Sequence, residues 1–475
     1  MHDKLIAQIQ GFTLDARAAL ETEAGRQLEG IYGWLPDGKF ADPSRYPAIQ
    51  QIEAATETRR RLEAYAAEEK AAGVAGPEAR ARIVRETAFT WLNRLVALRM
   101  MEERKIIKST VGKLDKSNSF IFWLTSDGNE EMYALHQKGA LPQNAMGEGP
   151  SDEAYRKFLL WQCDQLAKDV SVLFDPANLS SRLFPRPPVL KEIVDAMNRD
   201  GLVEAWQAGN EETVGWVYQA FNAEELQAAF TAARLSKKKF EAKDIPSVTQ
   251  LFTLRWVVKF LVENTLGRLW VEMHPDSRLR ERLTYLVPFN GPARTLKPAK
   301  SITFLDPSCG SMHFGLVAFD LLAEMYQEEL ERAGQTGWHE TPSVATVDEI
   351  PESIIANNIF GIDIDLRAVQ LSALTMLLKA RTLNKKCAFS DRNLACANVE
   401  AITGGKLETF IAHSEFSHPI YERILRGIVH GLKDSEQLGS LLRLEKTLED
   451  LIAGERKTVE AKRQLQISFP GGKLL

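Results

Sequence analysis

Two segments of this chain share one pattern, a short apolar run that ends in an aspartate and leads directly into an amphipathic stretch. The first reads SITFLD over residues 301–306 and continues through the turn PSCGSMH into FGLVAFDLLAEMYQEEL, residues 314–330. The second reads NNIFGIDIDLRAVQLSALTMLLKART over residues 357–382, with Asp363 after the apolar run. Each is predicted to be a strand–turn–helix unit. Strands that alternate with helices form parallel sheets, so we expect an α/β fold from about residue 246 onward.

The turn after the first strand predicts a nucleoside site. Gly310 lets the backbone approach a ligand that any Cβ would hold away, and N–H groups at the start of the next helix can receive a carboxylate or phosphate. Asp363, at the end of the second strand, is placed to accept hydrogen bonds from both ribose hydroxyls. The pattern G-x-G-x-x-G is absent, and the insertion at 334–355 makes the spacing longer than in a dinucleotide fingerprint. Both facts argue against a nicotinamide cofactor.

The chain before this α/β part is predicted to be helical. Residues 81–107, ARIVRETAFTWLNRLVALRMMEERKII, have one broad apolar face at helical spacing. The prolines in SSRLFPRPPVLKEI, residues 180–193, predict a boundary. The lysines of the following basic run, residues 234–244, are interpreted as a solvated face. We expect a helical domain over 1–185, a helical linker region over 186–245, an α/β core over 246–412 and a helical pair over 413–475.

Composition argues against several other classes of protein. The chain has four cysteines, no CxxC pair and no secretory leader after Met1, so we expect a reducing, cytoplasmic setting without disulfides. The histidines lack ligand spacing, so no metal site is expected. No apolar run approaches the ~20 residues of a membrane helix. The formal net charge of -5 gives no overall attraction to phosphate, so a DNA contact needs a local patch or another protein part.

At these motifs the sequence resembles the gamma-type DNA N6-adenine methyltransferases of phage-defence systems, the PglX-like proteins of BREX and their DISARM relatives. DPSCGSMHF, residues 306–314, resembles the first cofactor motif, which usually reads DPxCGSGHF; GIDID with RAVQLSAL resembles the second and NLACANV, residues 393–399, the third. SVTQLFTLRWVVKFLVENTLGRLW, residues 247–270, resembles the segment that usually reads TQxFTPxW. FTWLNRLVALRMMEE and VGWVYQAFN also resemble the helical leader of this family, so the resemblance covers most of the chain.

The resemblance implies a partial, Rossmann-like class I core over residues 246–412 with S-adenosyl-L-methionine as cofactor and no metal. It assigns Asp363 to the ribose hydroxyls, Ile364 to packing on adenine, Asn398 to the adenine amino group, and Thr253 to the methionine end. The cofactor-binding residues that it implies are Thr253, Asp306, Pro307, Ser308, Gly310, Ser311, His313, Asp363, Ile364 and Asn398.

Three positions depart from the family pattern. Met312 stands where glycine is commoner and is expected to crowd the cofactor. Leu254 replaces the usual proline, and Asn398 replaces an acid.

A fourth departure concerns the loop that holds the target base in this family, (Asn/Asp/Ser)-Pro-Pro-(Tyr/Phe/Trp). No Pro-Pro-aromatic sequence follows Asp306, and Pro187-Pro188 is followed by Val189. An extruded adenine needs an aromatic ring to stack on and polar groups that raise the nucleophilicity of its amino nitrogen. In the family a helical pair such as residues 413–475 precedes this loop. We therefore expect no catalytic residue in this chain and no activity from it alone.

Two main hypotheses follow. In the first, the chain is the N-terminal, cofactor-binding part of a site-specific DNA adenine-N6 methyltransferase of a restriction-modification or phage-defence system. Its partners are then double-stranded DNA, held by a missing C-terminal part or partner chain, and other defence-system subunits, with no membrane. In the second, it is a non-catalytic module that binds S-adenosylmethionine or serves in assembly of a defence complex. A methyltransferase of RNA or protein glutamine, which uses the same loop chemistry, is a third alternative.

Overall fold

A computed structural model describes residues 3–236, 253–292 and 294–397, together with residues 411, 422, 423, 425 and 426. Residues 1–240 and 244–396 belong to one compact unit, and residues 241–243 and 397–475 belong to another, which lies almost wholly outside the described residues. The predicted helical pair over 413–475, most of the basic run over 234–244 and Asn398 therefore fall outside the description. The first unit is mostly helical and contains a three-stranded parallel sheet.

The helical leader, residues 3–236, is built around one enclosed helix, α4. Residues 87–101 of α4 are all buried, whereas the sequence predicted one apolar face. Internal hydrogen bonds offset part of the cost of burying its polar residues: Asn93 donates to the Phe89 carbonyl at 2.8 Å, and Arg94 donates to the Leu173 carbonyl at 3.0 Å. The leader helices are α1 (Asp3–Gly30), α2 (Pro47–Gln51), α3 (Glu53–Ala71), α4 (Gly76–Glu103), α5 (Asn118–Leu124), α6 (Glu130–Gln137), α7 (Pro150–Ala167), α8 (Ser171–Phe174), α9 (Pro187–Met197), α10 (Val203–Trp206), α11 (Thr213–Phe221) and α12 (Ala223–Ser236).

The sheet follows the leader along the chain and has the order β1-β2-β3, with both strand pairs parallel. Asp306 lies opposite Gly361 in the register, and Asp363 lies opposite Cys396. The strands are β1 (Phe304–Asp306), β2 (Ile359–Asp363) and β3 (Leu394–Cys396). The helices of this part are α13 (Arg255–Val262), which a π-helical turn (Glu263–Gly267) joins to α14 (Arg268–Met273), then α15 (His313–Arg332), α16 (Ile350–Asn357) and α17 (Leu366–Leu383). No helix in the described ranges combines the length and apolar character that crossing a bilayer requires.

Both predicted strand–turn–helix units are present. The first strand is shorter than predicted, because Ala299–Ser301 form a 3-10 turn before it. Asn358, buried at the start of β2, holds this segment by donating to the carbonyls of Ala299 at 2.8 Å and Ile302 at 2.6 Å. The prediction of parallel strands alternating with helices is therefore confirmed for this part of the chain.

Leader and sheet pack directly against each other. The Tyr218 hydroxyl of α11 donates to Asp365 Oδ2 at 2.8 Å, and Arg381 of α17 pairs with Asp169 at 2.9 Å. The predicted domain boundaries stay a prediction, but leader side chains clearly contribute to the environment of the sheet.

Candidate functional site

The turn after β1 is fastened to the end of β2 by backbone hydrogen bonds. The Cys309 N–H donates to the Ile362 carbonyl at 2.9 Å, and the Gly310 N–H donates to Asp363 Oδ2 at 2.8 Å. Gly310 has φ +53°, a left-handed conformation that glycine adopts without strain. A Cβ added there would meet no atom within 4 Å, so the backbone of the turn borders open space. A ligand could therefore approach this backbone closely.

Asp363 is the half-buried acid on the other side of this space. Its Oδ1 accepts from the Asp365 N–H at 2.9 Å, and its Oδ2 accepts from Gly310. A carboxylate has about four acceptor positions, so two remain for a ligand. Burial raises the pKa of Asp363, and the charge of Asp365 adds to this, while backbone hydrogen bonds from Asp365, Gly310 and Ile364 oppose it.

Asp306 is a second half-buried acid at the same edge of the sheet. Its Oδ1 accepts from the Ser308 N–H at 3.1 Å, while its Oδ2 is buried and has no hydrogen-bond partner among the described residues. Burial raises its pKa, and the charge of Asp363 adds to the increase. In the described part of the chain neither acid forms an ion pair with a lysine or arginine. The site is therefore electrically negative and has acceptor capacity to spare.

Met312 lies on the core side of the turn, contrary to the expectation that it crowds a cofactor. Its side chain is fully buried. A Cβ on Gly315 would lie 2.5 Å from Met312 Cγ, and one on Gly361 would lie 3.0 Å from Met312 Cε. Two glycines thus make room for the methionine between α15 and β2. The position still carries φ +67°, a conformation that costs a non-glycine residue on the order of 1 kcal/mol.

Cys309 is a packed residue on the same side of the turn. The Ser372 hydroxyl lies 3.4 Å from its sulfur and donates to the Gly310 carbonyl at 2.8 Å. Burial raises the pKa of the Cys309 thiol to about 12, so the thiol stays protonated near neutral pH. This environment suits packing better than nucleophilic chemistry.

Three polar residues that support the site were not predicted. Asp365 caps α17 by accepting from the Arg367 N–H at 2.9 Å, and it also accepts from Tyr218. The Arg367 guanidinium lies 5.5 Å from the centre of the Phe89 ring in the leader. An aspartate directly before a helical run is an N-cap signal, so Asp365 could have been found from sequence. The contacts with Tyr218 and Phe89 carry no such signal, because the partners lie far apart in the chain.

Another set of polar contacts links the leader to the start of α15, directly after the turn. Glu212 lies 3.5 Å from His313 Nε2 and 3.4 Å from Arg255, the first residue of α13. Burial acts to raise the pKa of Glu212, but its hydrogen bond with His313 and the charges of His313 and Arg255 hold it below its ordinary value.

Thr253 lies two residues before Arg255 and is half-buried. Leu254 has φ -56°, which proline also adopts, so the proline usual in the family would fit here.

The predicted site residues that the structure describes fall into two groups, and the remaining one, Asn398, lies outside the described residues. Those at the carboxyl ends of the strands, around the Gly310 turn, are Asp306, Pro307, Ser308, Gly310, Ser311, Asp363 and Ile364. His313 starts α15 and is joined through Glu212 and Arg255 to the segment of Thr253. Ile364 keeps 39% of its surface exposed, although it follows a buried strand. In the ranges described, no three His, Cys, Asp or Glu side chains are grouped so as to hold a metal ion.

Comparison with known proteins gives two strong similarities, although no protein-family model matches the chain. Adenine-specific methyltransferase PglX of Lacticaseibacillus casei (strain Zhang) is 30% identical over 396 residues, which cover 78% of this chain and 31% of that protein. Adenine-specific methyltransferase BrxX of Escherichia coli O9:H4 (strain HS) is 31% identical over 319 residues, which cover 63% of this chain and 24% of that protein. These similarities confirm the resemblance predicted from the motifs. The chain spans less than a third of the length of either relative.

Proposed function

Because this chain is a relative of the adenine-specific methyltransferases PglX and BrxX, we propose that it is the N-terminal, cofactor-binding part of a site-specific DNA adenine-N6 methyltransferase. In this proposal residues 246–412 carry a partial Rossmann-like class I core that binds S-adenosyl-L-methionine, and the longer system serves phage defence of the BREX kind. One observation carries the proposal: Asp306 and Asp363, half-buried and without an ion-pair partner among the described residues, flank the open backbone of Gly310.

The acceptors of Asp363 fit a ribose. Its two oxygens each accept one backbone N–H, and each keeps a lone pair that can accept a hydroxyl. Both backbone donors also fix the orientation of the carboxylate before any ligand arrives, which lowers the entropy cost of binding. In this proposal the exposed side chain of Ile364, next along the chain, packs on the attached base.

The charge of the site fits the methyl donor rather than a dinucleotide. S-adenosyl-L-methionine, when bound, supplies an activated methyl group on a positively charged sulfur. The carboxylates of Asp306 and Asp363 repel each other and would both be stabilised by a cationic ligand, whereas a pyrophosphate would add to the repulsion. Oδ2 of Asp306, which has no hydrogen-bond partner among the described residues, would accept from the ammonium of the methionine half.

We assign the methionine end of the site to the Glu212–His313–Arg255 contacts. Glu212 holds His313 and Arg255 beside the start of α15, where backbone N–H groups favour a carboxylate. The resemblance places Thr253 at this end too. Glu212 would act as a positioning residue that the leader contributes to the site.

We further propose that the base-holding loop and DNA recognition are carried by a further segment or a partner chain. The sequence has no Pro-Pro-aromatic loop after Asp306, and the relatives are more than three times as long as the matched region. Among the described strands β1 has a neighbour on one side only, which leaves room for further strands. A chain without an aromatic platform for the extruded adenine should not transfer a methyl group to DNA alone.

The decisive experiment is a calorimetric titration of S-adenosylmethionine into the 475-residue chain and into Asp363→Ala. We expect saturable binding to the unmodified chain and at least a 100-fold loss in the variant. Asp348→Ala, which changes an exposed aspartate in the insertion, is the matched control and should bind as the unmodified chain does. No binding to the folded, unmodified chain would contradict the proposal.

The second hypothesis is a non-catalytic binding or assembly module. The two differ in a complementation assay. A partner polypeptide carrying an Asn-Pro-Pro-Tyr loop should restore methyl transfer to duplex DNA if the chain is part of an enzyme. If the chain is an assembly module, cofactor binding is unchanged and no methyl transfer appears.

A further inference from the structure

The leader contains a cavity of about 270 Å³, apart from the Gly310 turn. It lies among α1, α3, α4, α7 and the segment that runs from residue 174 to residue 186. Four arginines line it, Arg94, Arg156, Arg182 and Arg186, against two acids, Glu148 and Asp164. None of the residues that flank the Gly310 turn lines this cavity, so it is a second, separate feature of the molecule.

Two of the four arginines are neutralised by buried acids. Arg156 Nε lies 2.9 Å from Glu148 Oε1. Arg186 donates to Glu23 through Nε at 2.6 Å and Nη2 at 2.9 Å. Both guanidinium groups therefore have a carboxylate partner inside the protein.

Arg94 and Arg182 have no such partner in the described part of the chain. Arg94 is 1% exposed, and two backbone carbonyls hold it: Leu173 at 3.0 Å from Nε and Asp175 at 3.1 Å from Nη2. Its Nη1 is buried without a hydrogen bond, and so is Nε of Arg182. Burial lowers the pKa of Arg94, and the nearby Cys163, Asp175 and Asp164 oppose this only in part.

A buried charge without an ion-pair partner is destabilising, and an anion that enters the cavity would recover part of this cost. Guanidinium groups are planar forks of donors that match the oxygens of a phosphate. The lining also includes the aromatic rings of Tyr32, Phe174 and Phe184, which suit a flat organic body. The volume lies near the lower end of small-molecule sites, which begin at about 300 Å³.

We propose that this cavity binds a phosphate-bearing anion of mononucleotide size or smaller, with Arg94 and Arg182 as the groups that bind the phosphate. The remaining lining selects for size, because helices of the leader enclose it on several sides. The site is independent of the methyl-donor site and does not rest on the function proposed above.

The test uses the full 475-residue chain and three probes: inorganic phosphate, uridine 5′-monophosphate and uridine. Binding is measured by calorimetry and by the rise in Tm that a ligand of the folded state produces. We expect saturable binding of the monophosphate and a rise of about 2 °C or more at saturation, with uridine inactive. Equal affinity for phosphate and the monophosphate identifies a site for the phosphate group alone, and at least tenfold tighter binding of the monophosphate identifies a nucleotide site.

The variants are Arg182→Gln and Arg94→Gln, and each is expected to weaken binding of the monophosphate at least tenfold. Arg182→Lys keeps the charge and should recover part of the affinity. Arg60→Gln, on the exposed face of α3 where Arg60 pairs with Glu57 at 2.9 Å, is the matched control and should bind normally. Because Arg94→Gln removes two bonds to backbone carbonyls and could prevent folding, Arg182→Gln decides the test on its own.

Three outcomes overturn the proposal. The first is the absence of saturable binding of any phosphate-bearing probe to the unmodified chain. The second is binding that Arg182→Gln leaves within twofold of normal. The third is uridine binding as tightly as its monophosphate, because the arginines would then have no part in recognition.

Discussion

The end of the sheet and the leader cavity each contain two buried or half-buried like charges that lack a counter-ion among the described residues. At the sheet the charges are Asp306 and Asp363, and in the cavity they are Arg94 and Arg182. The acids sit in an open turn where the backbone of Gly310 borders free space, while Arg94 is enclosed by helices and held by carbonyls. Opposite signs in such different surroundings point to ligands of opposite charge.

The comparison also shows how each region keeps its unbalanced charge. At the sheet, backbone N–H groups of Ser308, Gly310 and Asp365 donate to the carboxylates. In the cavity, carbonyls of Leu173 and Asp175 accept from Arg94. Neutral dipoles orient these side chains without cancelling their charge, which leaves the charge available to a ligand. Pre-oriented charge of this kind is typical of binding sites.

The largest expected effect separates the two regions. Asp363→Ala should weaken the binding of S-adenosylmethionine at least 100-fold, because it removes both ribose acceptors. This corresponds to a loss of about 2.7 kcal/mol in binding free energy. It should leave uridine 5′-monophosphate binding unchanged, since Asp363 does not line the leader cavity. Calorimetry with both ligands on the same preparation measures this. If one substitution impairs both ligands, the two sites are not independent and the comparison fails.

The next prediction concerns Met312 and tests whether its side chain faces the core or the ligand. Met312→Gly removes the left-handed strain but empties a packed space between Gly315 and Gly361, so we expect the free energy of unfolding to fall by about 1–3 kcal/mol. Because the side chain lies in the core, S-adenosylmethionine affinity should change less than threefold. Urea denaturation and calorimetry check the two parts. Tighter cofactor binding in the variant would restore the idea that Met312 crowds the ligand.

The third effect is a pH dependence that only the acidic site should show. Asp306 and Asp363 have raised pKa values, and their carboxylate forms bind the cationic donor, so its affinity should begin to fall at a higher pH than for exposed aspartates as the pH is lowered from 7 to 4. An exposed aspartate would titrate nearer pH 4. Titrations at several pH values measure this, and a flat profile over the range would show that the acids do not bind the ligand.

The stability of the ligand-free chain should depend on pH in the opposite direction to the cofactor affinity. A carboxyl whose pKa is higher in the folded state binds more protons there, so its contribution to stability decreases as the pH rises through the raised pKa. Asp306→Asn keeps the Oδ1 acceptor for the Ser308 N–H and removes the charge. It should therefore raise the Tm of the ligand-free chain slightly at pH 7 and weaken the binding of the cofactor. A lower ligand-free Tm in this variant would contradict the unfavourable charge at this position.

The smallest effect concerns the contact between leader and sheet. Tyr218→Phe removes the hydroxyl that donates to Asp365 at 2.8 Å, a bond worth about 1 kcal/mol. Asp365 keeps its bonds to Arg367, so the cap of α17 should remain and cofactor affinity should change little. Thermal unfolding measures the loss, and Tyr133→Phe, an exposed tyrosine, serves as control. A large loss of cofactor binding would mean that the leader orients the site more strongly than proposed.

Much of the α/β part could be predicted from local sequence. Strand β2 and helices α15 and α17 follow from apolar spacing that short segments determine, and this spacing also places Gly310 in the turn and Asp363 at the end of β2. The end of β1 nearest residue 301 was misplaced because Asn358, more than 50 residues away, holds the 3-10 turn before it. The side chain of Met312 was misplaced because the space for it comes from Gly315 and Gly361, and the second of these belongs to another strand.

The sequence by itself determined which residues stand at the turn: an acid after each of two strands and a glycine between them. It also contained motifs that resemble one family, and the similarity to a known protein confirms that family. Only the tertiary structure decided which residues lack partners. Arg94 looks like one cationic residue in an apolar helix, and Tyr218 looks like one aromatic in another. Their roles depend on partners 79 and 147 positions away, and such separations leave no periodicity in the chain. Burial, and with it the cost of an uncompensated charge, arises only when distant segments pack together.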